Sequence, residues 1–170
     1  IESFEAMPAN ALAMVLRHIP GTRAPLQGQH GWNILIEATA PAGATEPSDR
    51  LTALLAEAAA DGLIEDAVIA SNEAQAEAFW KLRESIAEAE RVDGPAAKHD
   101  ISVPVSAMPT FLLDARVAVE QRFAGSRVLG FGHLGDGNIH FNVQPPVDAD
   151  GKRWLAEEGP KVSSFVHDLV

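Results

Sequence analysis

The chain has 170 residues, 46% of them hydrophobic, a formal net charge of −11 and no cysteine. The missing cysteines exclude disulfides and thiolate-bound metal, so any bound metal needs histidine or carboxylate ligands. The acidic balance argues against a nucleic-acid partner, and no membrane span is expected because no apolar run approaches the ~20 residues that a bilayer requires.

The first half of the sequence predicts strands that alternate with helices. Apolar periodicity identifies these elements, and Pro, Gly or Asn marks their ends. The predicted elements are a strand over 1–6, a helix over 8–18, a strand over 32–38, a helix over 48–60, a strand over 65–70 and a helix over 73–91. A loop rich in Pro and Gly is expected over 39–47.

The second half of the sequence predicts a hairpin between two helices. The elements are a half-buried strand over 99–105, a helix over 106–123, a hairpin over 127–143 and a helix over 154–170. Hairpin-joined strands mixed with single-helix connections predict one α+β domain over 1–170, with an antiparallel or mixed sheet and helices on one face. Because the first residue falls in a predicted strand and the last in a predicted helix, we expect a domain that is truncated at both ends.

The hairpin carries two histidines, His133 and His140, around a glycine-rich turn. Asp136-Gly137 is typical of a two-residue type I′ turn, since glycine adopts positive φ without steric cost. With these two residues at the tip, His133 faces His140 directly across the strands. Directly paired residues point to one face with Cβ atoms ~4.5–5.5 Å apart, so both imidazoles can reach one ion. Asn142 joins the same face.

The same hairpin allows other interpretations. The two histidines can be a structural pair that hydrogen-bonds to each other or to a backbone carbonyl. A phosphate-binding loop is a third option, but no helix begins at Gly137 and the glycine pattern of such loops is missing. If a metal is bound, two neutral histidines leave room for a carboxylate ligand and for a substrate.

Two basic residues are of interest in this acidic chain. Arg83 lies on or beside the apolar stripe of its helix, where a guanidinium suits bidentate capture of a substrate carboxylate. The alternative is an Arg whose stem extends along the edge of the core. Lys98 shares strand parity with Asp100, which allows either a second cation at the site or a simple surface pair. His99 points the other way and is expected to be a hydrogen-bonded core histidine.

Three motifs in the chain are specific enough to compare with known families. The run over 132–143 reads Gly-His-Leu-Gly-Asp-Gly-Asn-Ile-His-Phe-Asn-Val, the run over 79–84 reads Phe-Trp-Lys-Leu-Arg-Glu, and the run over 98–104 reads Lys-His-Asp-Ile-Ser-Val-Pro. In this order they resemble the carboxyl-terminal domain of FAD-linked oxidases. That family includes D-lactate dehydrogenases, glycolate oxidase subunits and D-2-hydroxyglutarate dehydrogenases.

The resemblance implies a ferredoxin-like substrate domain that closes over FAD held by another domain, which is absent from this chain. It implies that His133 and His140 bind a divalent metal, with zinc expected first and manganese or iron as alternatives. The third ligand would be a glutamate of a later glutamate–histidine–glycine motif that the chain does not reach. The resemblance also assigns Arg83, Lys98 and Asn142 to substrate binding.

The function expected from this resemblance is that of an FAD-dependent D-2-hydroxy-acid dehydrogenase, which oxidises a 2-hydroxy acid to a 2-oxo acid with His140 as the catalytic residue. The chain alone is expected to be inactive. The alternatives are a non-catalytic binding domain and a self-contained metal-assisted hydrolase. Expected partners are a small 2-hydroxy acid, the FAD-binding domain of the same polypeptide and a second copy in a homodimer, in the cytoplasm. Ala87, where some members have a hydroxyl residue, leaves the choice of substrate open.

Overall fold

The computed structural model describes residues 1–41, 43 and 46–170. The strands are β1 (Ser3–Pro8), β2 (Trp32–Glu37), β3 (Ala97–Ser102), β4 (Arg127–His133) and β5 (Asn138–Gln144). The α-helices are α1 (Ala9–His18), α2 (Pro47–Ala60), α3 (Glu73–Glu84), α4 (Ile86–Asp93), α5 (Met108–Arg122) and α6 (Gly151–Leu169). All strand pairs are antiparallel, in the order β2-β1-β4-β5-β3. Of the helices in these ranges, none has the length and apolarity needed to cross a membrane.

Most of the sequence prediction agrees with these elements. The α+β class and the antiparallel sheet are confirmed. The strand predicted over 65–70 is wrong, because this segment pairs with no strand in the described part of the chain and leaves Val68 46% exposed. The helix predicted over 73–91 is divided at Ser85, where a ψ of −3° separates α3 from α4. The loop predicted over 39–47 includes positions 42, 44 and 45, which lie outside the described residues.

The helices, predicted to share one face of the sheet, are divided between both faces. Leu129 and Phe131 of β4 pack with α1, α3 and α4, whereas Val128 packs with α5 and α6. A strand that is buried on both sides has a continuous apolar run rather than an alternation, and the run over 128–132 of β4 fits a sheet that is covered on both faces. The face under α3 and α4 carries the polar residues of interest.

The turn between β4 and β5 is longer than the predicted two-residue turn. Gly137 has a φ of 80°, whereas Asp136 does not have positive φ, which excludes type I′. The N–H of Gly137 donates to the carbonyl of His133 at 3.0 Å. His133 is therefore paired with Asn138, and His140 with Phe131. The predicted direct pairing of His133 with His140 is wrong, but an offset of two residues keeps both on the same face.

Candidate active site

The predicted site residues meet on one face of the sheet. β4 and β5 contribute His133, His140 and Asn142, β3 contributes Lys98, and α3 lays Arg83 over this face. Strand register explains the convergence, because Lys98 is paired with Asn142 and successive even positions of β5 point the same way. The structure thus brings together the five residues that the sequence singles out.

Glu5 of β1 organises one half of this face. It is 2% exposed and lies opposite His133 in the β1–β4 ladder. Its Oε2 accepts from Arg83 Nε at 2.8 Å, and its Oε1 accepts from His133 Nδ1 at 2.6 Å. When Nδ1 donates to this carboxylate, Nε2 is the acceptor nitrogen of a neutral ring, and its lone pair is directed towards a terminal nitrogen of Arg83 at 3.5 Å.

Arg83 is held from two sides. Besides its ion pair with Glu5, its guanidinium carbon lies 5.0 Å from the centre of the Phe131 ring, within the range of a cation–π contact. One terminal nitrogen is 3.5 Å from His133 Nε2. The residue is only 8% exposed, so its charge is oriented towards the sheet rather than extended into solvent along the core edge.

Glu90 of α4 organises the other half of the face. It is fully buried, and its Oε2 accepts from both Lys98 Nζ at 2.7 Å and Asn142 Nδ2 at 3.0 Å. Its Oε1 has no hydrogen-bond partner among the described residues. The alternative interpretation of Lys98, a surface pair with Asp100, does not apply, because Lys98 is paired with Glu90 and Asp100 accepts from Asn138 Nδ2 at 2.7 Å.

His140 lies between the two halves. Its ring centroid is 5.9 Å from that of His133 and 4.9 Å from that of Phe131. Its Nδ1 is 3.7 Å from Asp100. Burial lowers the pKa of His140 below its ordinary value, against the opposing effect of the Asp100 carboxylate, and the charge of Arg83 lowers it further. The neutral imidazole, the form that ligates metals, is therefore favoured at neutral pH.

The two histidines fit part of a metal site. Both imidazoles lie on one face of the sheet, and a carboxylate like that behind His133 is the usual companion of a metal-bound histidine. Within the described ranges there is no group of three His, Asp or Glu side chains that could hold an ion. A complete site therefore needs a third ligand from outside these residues.

Sequence reasoning missed the two glutamates, although each left a signal. Glu5 is a charged residue inside a predicted strand, between Phe4 and the apolar pair Ala6-Met7. Glu90 follows Arg83 by seven positions, which is two helical turns and therefore the same side of a helix. A carboxylate at either place requires a buried partner.

The other face of β3 holds His99, as predicted. Its Nδ1 lies 2.6 Å from the carbonyl of Phe141, to which it donates, and Ser163 Oγ lies 3.0 Å from Nε2. His99 is 5% exposed. Burial lowers its pKa, the hydrogen bond to Phe141 opposes this, and nearby His167 lowers it further. His99 is a hydrogen-bonded core residue and is not part of the site.

A cavity of about 240 Å³ lies at the opposite end of β4. Arg127 and Asp93 line it together with residues of α1 and α5. None of the five predicted site residues contacts this cavity. We place the candidate site on the polar face because it carries the two histidines and the other predicted site residues, whereas none of the lining residues of this cavity is among them.

The geometry is that of a domain which presents two histidines, two cations and an amide on one sheet face. The family model described as FAD linked oxidases, C-terminal domain, matches residues 1–159. The chain therefore belongs to this family, which confirms the resemblance.

Three curated relatives show how far the similarity extends. The chain is 38% identical over 145 residues to the mitochondrial D-2-hydroxyglutarate dehydrogenase of Arabidopsis thaliana, covering 84% of the chain and 25% of the relative. It is 37% identical over 146 residues to the D-2-hydroxyglutarate dehydrogenase of Xanthomonas citri pv. viticola, covering 86% and 30%. It is 34% identical over 177 residues to the mitochondrial D-2-hydroxyglutarate dehydrogenase of Rattus norvegicus, covering 96% of the chain and 31% of the relative. The chain spans about a quarter to a third of the length of these relatives.

Proposed function

We propose that this chain is the substrate- and metal-binding domain of an FAD-dependent D-2-hydroxy-acid dehydrogenase. The observation that carries the proposal is the convergence of His133, His140, Arg83, Lys98 and Asn142 on one sheet face. Membership of the FAD-linked oxidase family supports it, as does the similarity to enzymes named for a 2-hydroxy acid. The FAD-binding domain of the same polypeptide and a homodimer remain predictions, as does the cytoplasmic location.

Substrate binding is assigned to the two cations and the amide. A planar guanidinium can hold a carboxylate by two parallel hydrogen bonds, and Arg83 is fixed for this by Glu5 and Phe131. The ammonium of Lys98 is about half exposed and keeps donors for a ligand beyond the one used on Glu90. Asn142 lies next to Lys98 across the strands. The reacting carbon would then lie over the two histidines.

His133 and His140 would hold the divalent metal, with zinc expected, together with a ligand from the glutamate–histidine–glycine motif that the resemblance implies. When bound, the metal would polarise the substrate hydroxyl and FAD would accept the hydride. Glu5 fixes the tautomer and orientation of His133, so that Nε2 is presented. His140, the expected catalytic residue, would act by holding this metal, because a neutral imidazole has a single lone pair and cannot both ligate an ion and accept the hydroxyl proton. The histidine of the glutamate–histidine–glycine motif would then be the group that accepts this proton.

The test uses the flavin-loaded enzyme that contains this domain. We expect His133→Ala and His140→Ala each to remove bound metal and to lower kcat/KM for 2-hydroxy acids by about a hundredfold or more. The matched control is His30→Ala, a half-buried histidine outside this face. Full turnover in the double variant His133→Ala/His140→Ala would disprove the assigned roles. Turnover of an ester or amide by the chain without flavin would favour the hydrolase instead.

A further inference from the structure

The cavity of about 240 Å³ at the start of β4 gathers three arginines from three elements. They are Arg17 of α1, Arg116 of α5 and Arg127 of β4. Two carboxylates, Asp93 and Glu120, line the same cavity. The lining therefore carries one more positive than negative charge, although the whole chain has 24 acidic residues against 13 lysines and arginines. A local excess of positive charge in an acidic protein favours the binding of an anion.

The three guanidinium groups use only a few of the five N–H donors that each carries. Arg116 Nε donates to Glu120 at 3.0 Å. Arg127 donates through Nε to a backbone carbonyl at 3.2 Å and through Nη1 to Asp93 at 3.1 Å. Arg17 Nη1 lies 3.6 Å from Asp93, which is too far for a hydrogen bond. In the described part of the chain the remaining N–H groups have no hydrogen-bond acceptor and are available to a ligand.

Asp93 holds its cations within the wall of the cavity. Its side chain is 9% exposed, Oδ1 accepts from His18 Nε2 at 3.1 Å, and Oδ2 accepts from Arg127 and from Gln144 Nε2 at 3.4 Å. Burial raises the pKa of Asp93, but the hydrogen bonds from these three donors outweigh it, so the pKa lies below its ordinary value. Asp93 is therefore charged at neutral pH, and its oxygens are already occupied by donors of the wall.

We propose that this cavity is a binding site for a phosphate group, either free or carried by a small monoester. Guanidinium groups bind phosphate by charge-assisted, often paired hydrogen bonds. A phosphate monoester presents three acceptor oxygens, whereas a carboxylate presents two, and three oxygens match donors that come from three elements. The cavity is smaller than the ~300 Å³ at which pockets begin to hold drug-sized ligands, which restricts the ligand to a small molecule. Ala13 and Met14 supply apolar lining for a short alkyl group.

The experiment titrates the 170-residue chain with inorganic phosphate, propyl phosphate and acetate at constant ionic strength, followed by NMR of the backbone amides. Both phosphates should shift the amides of Arg127, Val128 and Gln144, with dissociation constants of about 1 mM, as a few charge-assisted hydrogen bonds provide. The amides of Lys98 and Asn142 on the site face should shift less. Acetate should bind about tenfold more weakly, since it brings less charge and fewer acceptor oxygens.

Two variants in the wall of the cavity should change the phosphate affinity in opposite directions. Arg116→Gln removes a cation and should weaken binding about tenfold, whereas Glu120→Gln removes a competing carboxylate and should strengthen binding about threefold. Arg153→Gln and Glu157→Gln are the matched controls, because these residues form an ion pair of the same i,i+4 spacing on α6, outside the cavity. Both controls should change the dissociation constant less than about twofold.

Stronger binding by Glu120→Gln cannot arise from damage to the fold, so this variant separates a ligand site from a structural ion pair. Tighter binding of propyl phosphate than of inorganic phosphate would identify a monoester as the ligand, and equal binding would identify free phosphate; both results support the proposal. Acetate that binds as tightly as phosphate would overturn it. The proposal also fails if the amides over 127–128 and 144 do not shift at about 20 mM phosphate, or if Arg116→Gln and Arg153→Gln weaken binding equally.

Discussion

The two halves of the site face are each built on one buried glutamate, but the two glutamates are satisfied differently. Glu5 accepts one hydrogen bond on each oxygen, from Arg83 and from His133. Glu90 accepts two on one oxygen, and the other has no partner in the described part of the chain. The Glu5 half is therefore a completed network that fixes its groups in place. The Glu90 half retains unused acceptor capacity, and its cation is half exposed.

The largest effect should come from removing the carboxylate of the completed network. Glu5→Leu leaves the Arg83 guanidinium buried without a counter-charge, and we expect the free energy of unfolding to fall by about 4 kcal/mol. Urea denaturation measures this. The control is Glu37→Leu on the neighbouring strand β2, an exposed position where the change should stay within about 0.5 kcal/mol. If Glu5→Leu and Glu37→Leu lowered the free energy of unfolding equally, the Glu5 network would contribute no more to stability than an exposed surface residue.

A smaller effect should follow in the other half of the face. Lys98→Met leaves the Glu90 carboxylate buried with only Asn142 as its donor, and we expect a loss of about 2 kcal/mol in the free energy of unfolding. Lys152→Met, at an exposed position in α6, is the control. If Lys98→Met costs more than Glu5→Leu, the ranking of the two networks is reversed and our comparison is incorrect.

The smallest effect concerns the opposite face of β3 and depends on pH. Because the folded-state pKa of His99 is lowered from its ordinary value of 6.5, the unfolded chain binds the proton more readily, and stability falls as the pH drops below 6.5. His99→Gln should reduce the loss of stability between pH 7.5 and pH 5.5 by about 1 kcal/mol. Thermal unfolding at both pH values measures this.

His30 provides the control with the opposite sign. Hydrogen bonds to Glu65 and to the carbonyl of Gln27 raise the pKa of His30, so its contribution is present at low pH and lost as the pH rises. His30→Gln should therefore increase the loss on acidification, or leave it unchanged. If His30→Gln reduced the loss of stability on acidification as much as His99→Gln does, the pH dependence would not arise from the environment of His99.

The sequence could predict the features of this site that depend on local pattern. Strand parity correctly placed Lys98 with Asp100 and His99 on the opposite side of the same strand, and it placed Asn142 with His140. Helical spacing correctly predicted that Arg83 is not fully exposed on its helix. The family motifs depend on short runs of residues and were recognisable for the same reason.

The features that were not predicted depend on contacts between distant parts of the chain. A Cβ added to Gly137 would lie 2.0 Å from the carbonyl oxygen of Val103, so the turn is packed against the segment after β3. No local pattern shows that contact, and the hairpin register was therefore wrong. The segment over 65–70 has the composition of a strand but pairs with no strand among the residues that the structure describes. Glu5 is paired with Arg83, 78 positions away, and Glu90 with Lys98, 8 positions away on the next strand. Only the folded structure identifies these partners.

The packing of Gly137 against Val103 also has a consequence for how this domain could be modified. Because the hairpin turn has no room for an added methyl group, the spacing between His133 and His140 is set by the sheet and cannot be adjusted by the loop. Ala87, by contrast, is exposed on α4, where a side chain can be exchanged without moving a strand. A designer who wishes to change the substrate should therefore alter α4 and leave the hairpin untouched.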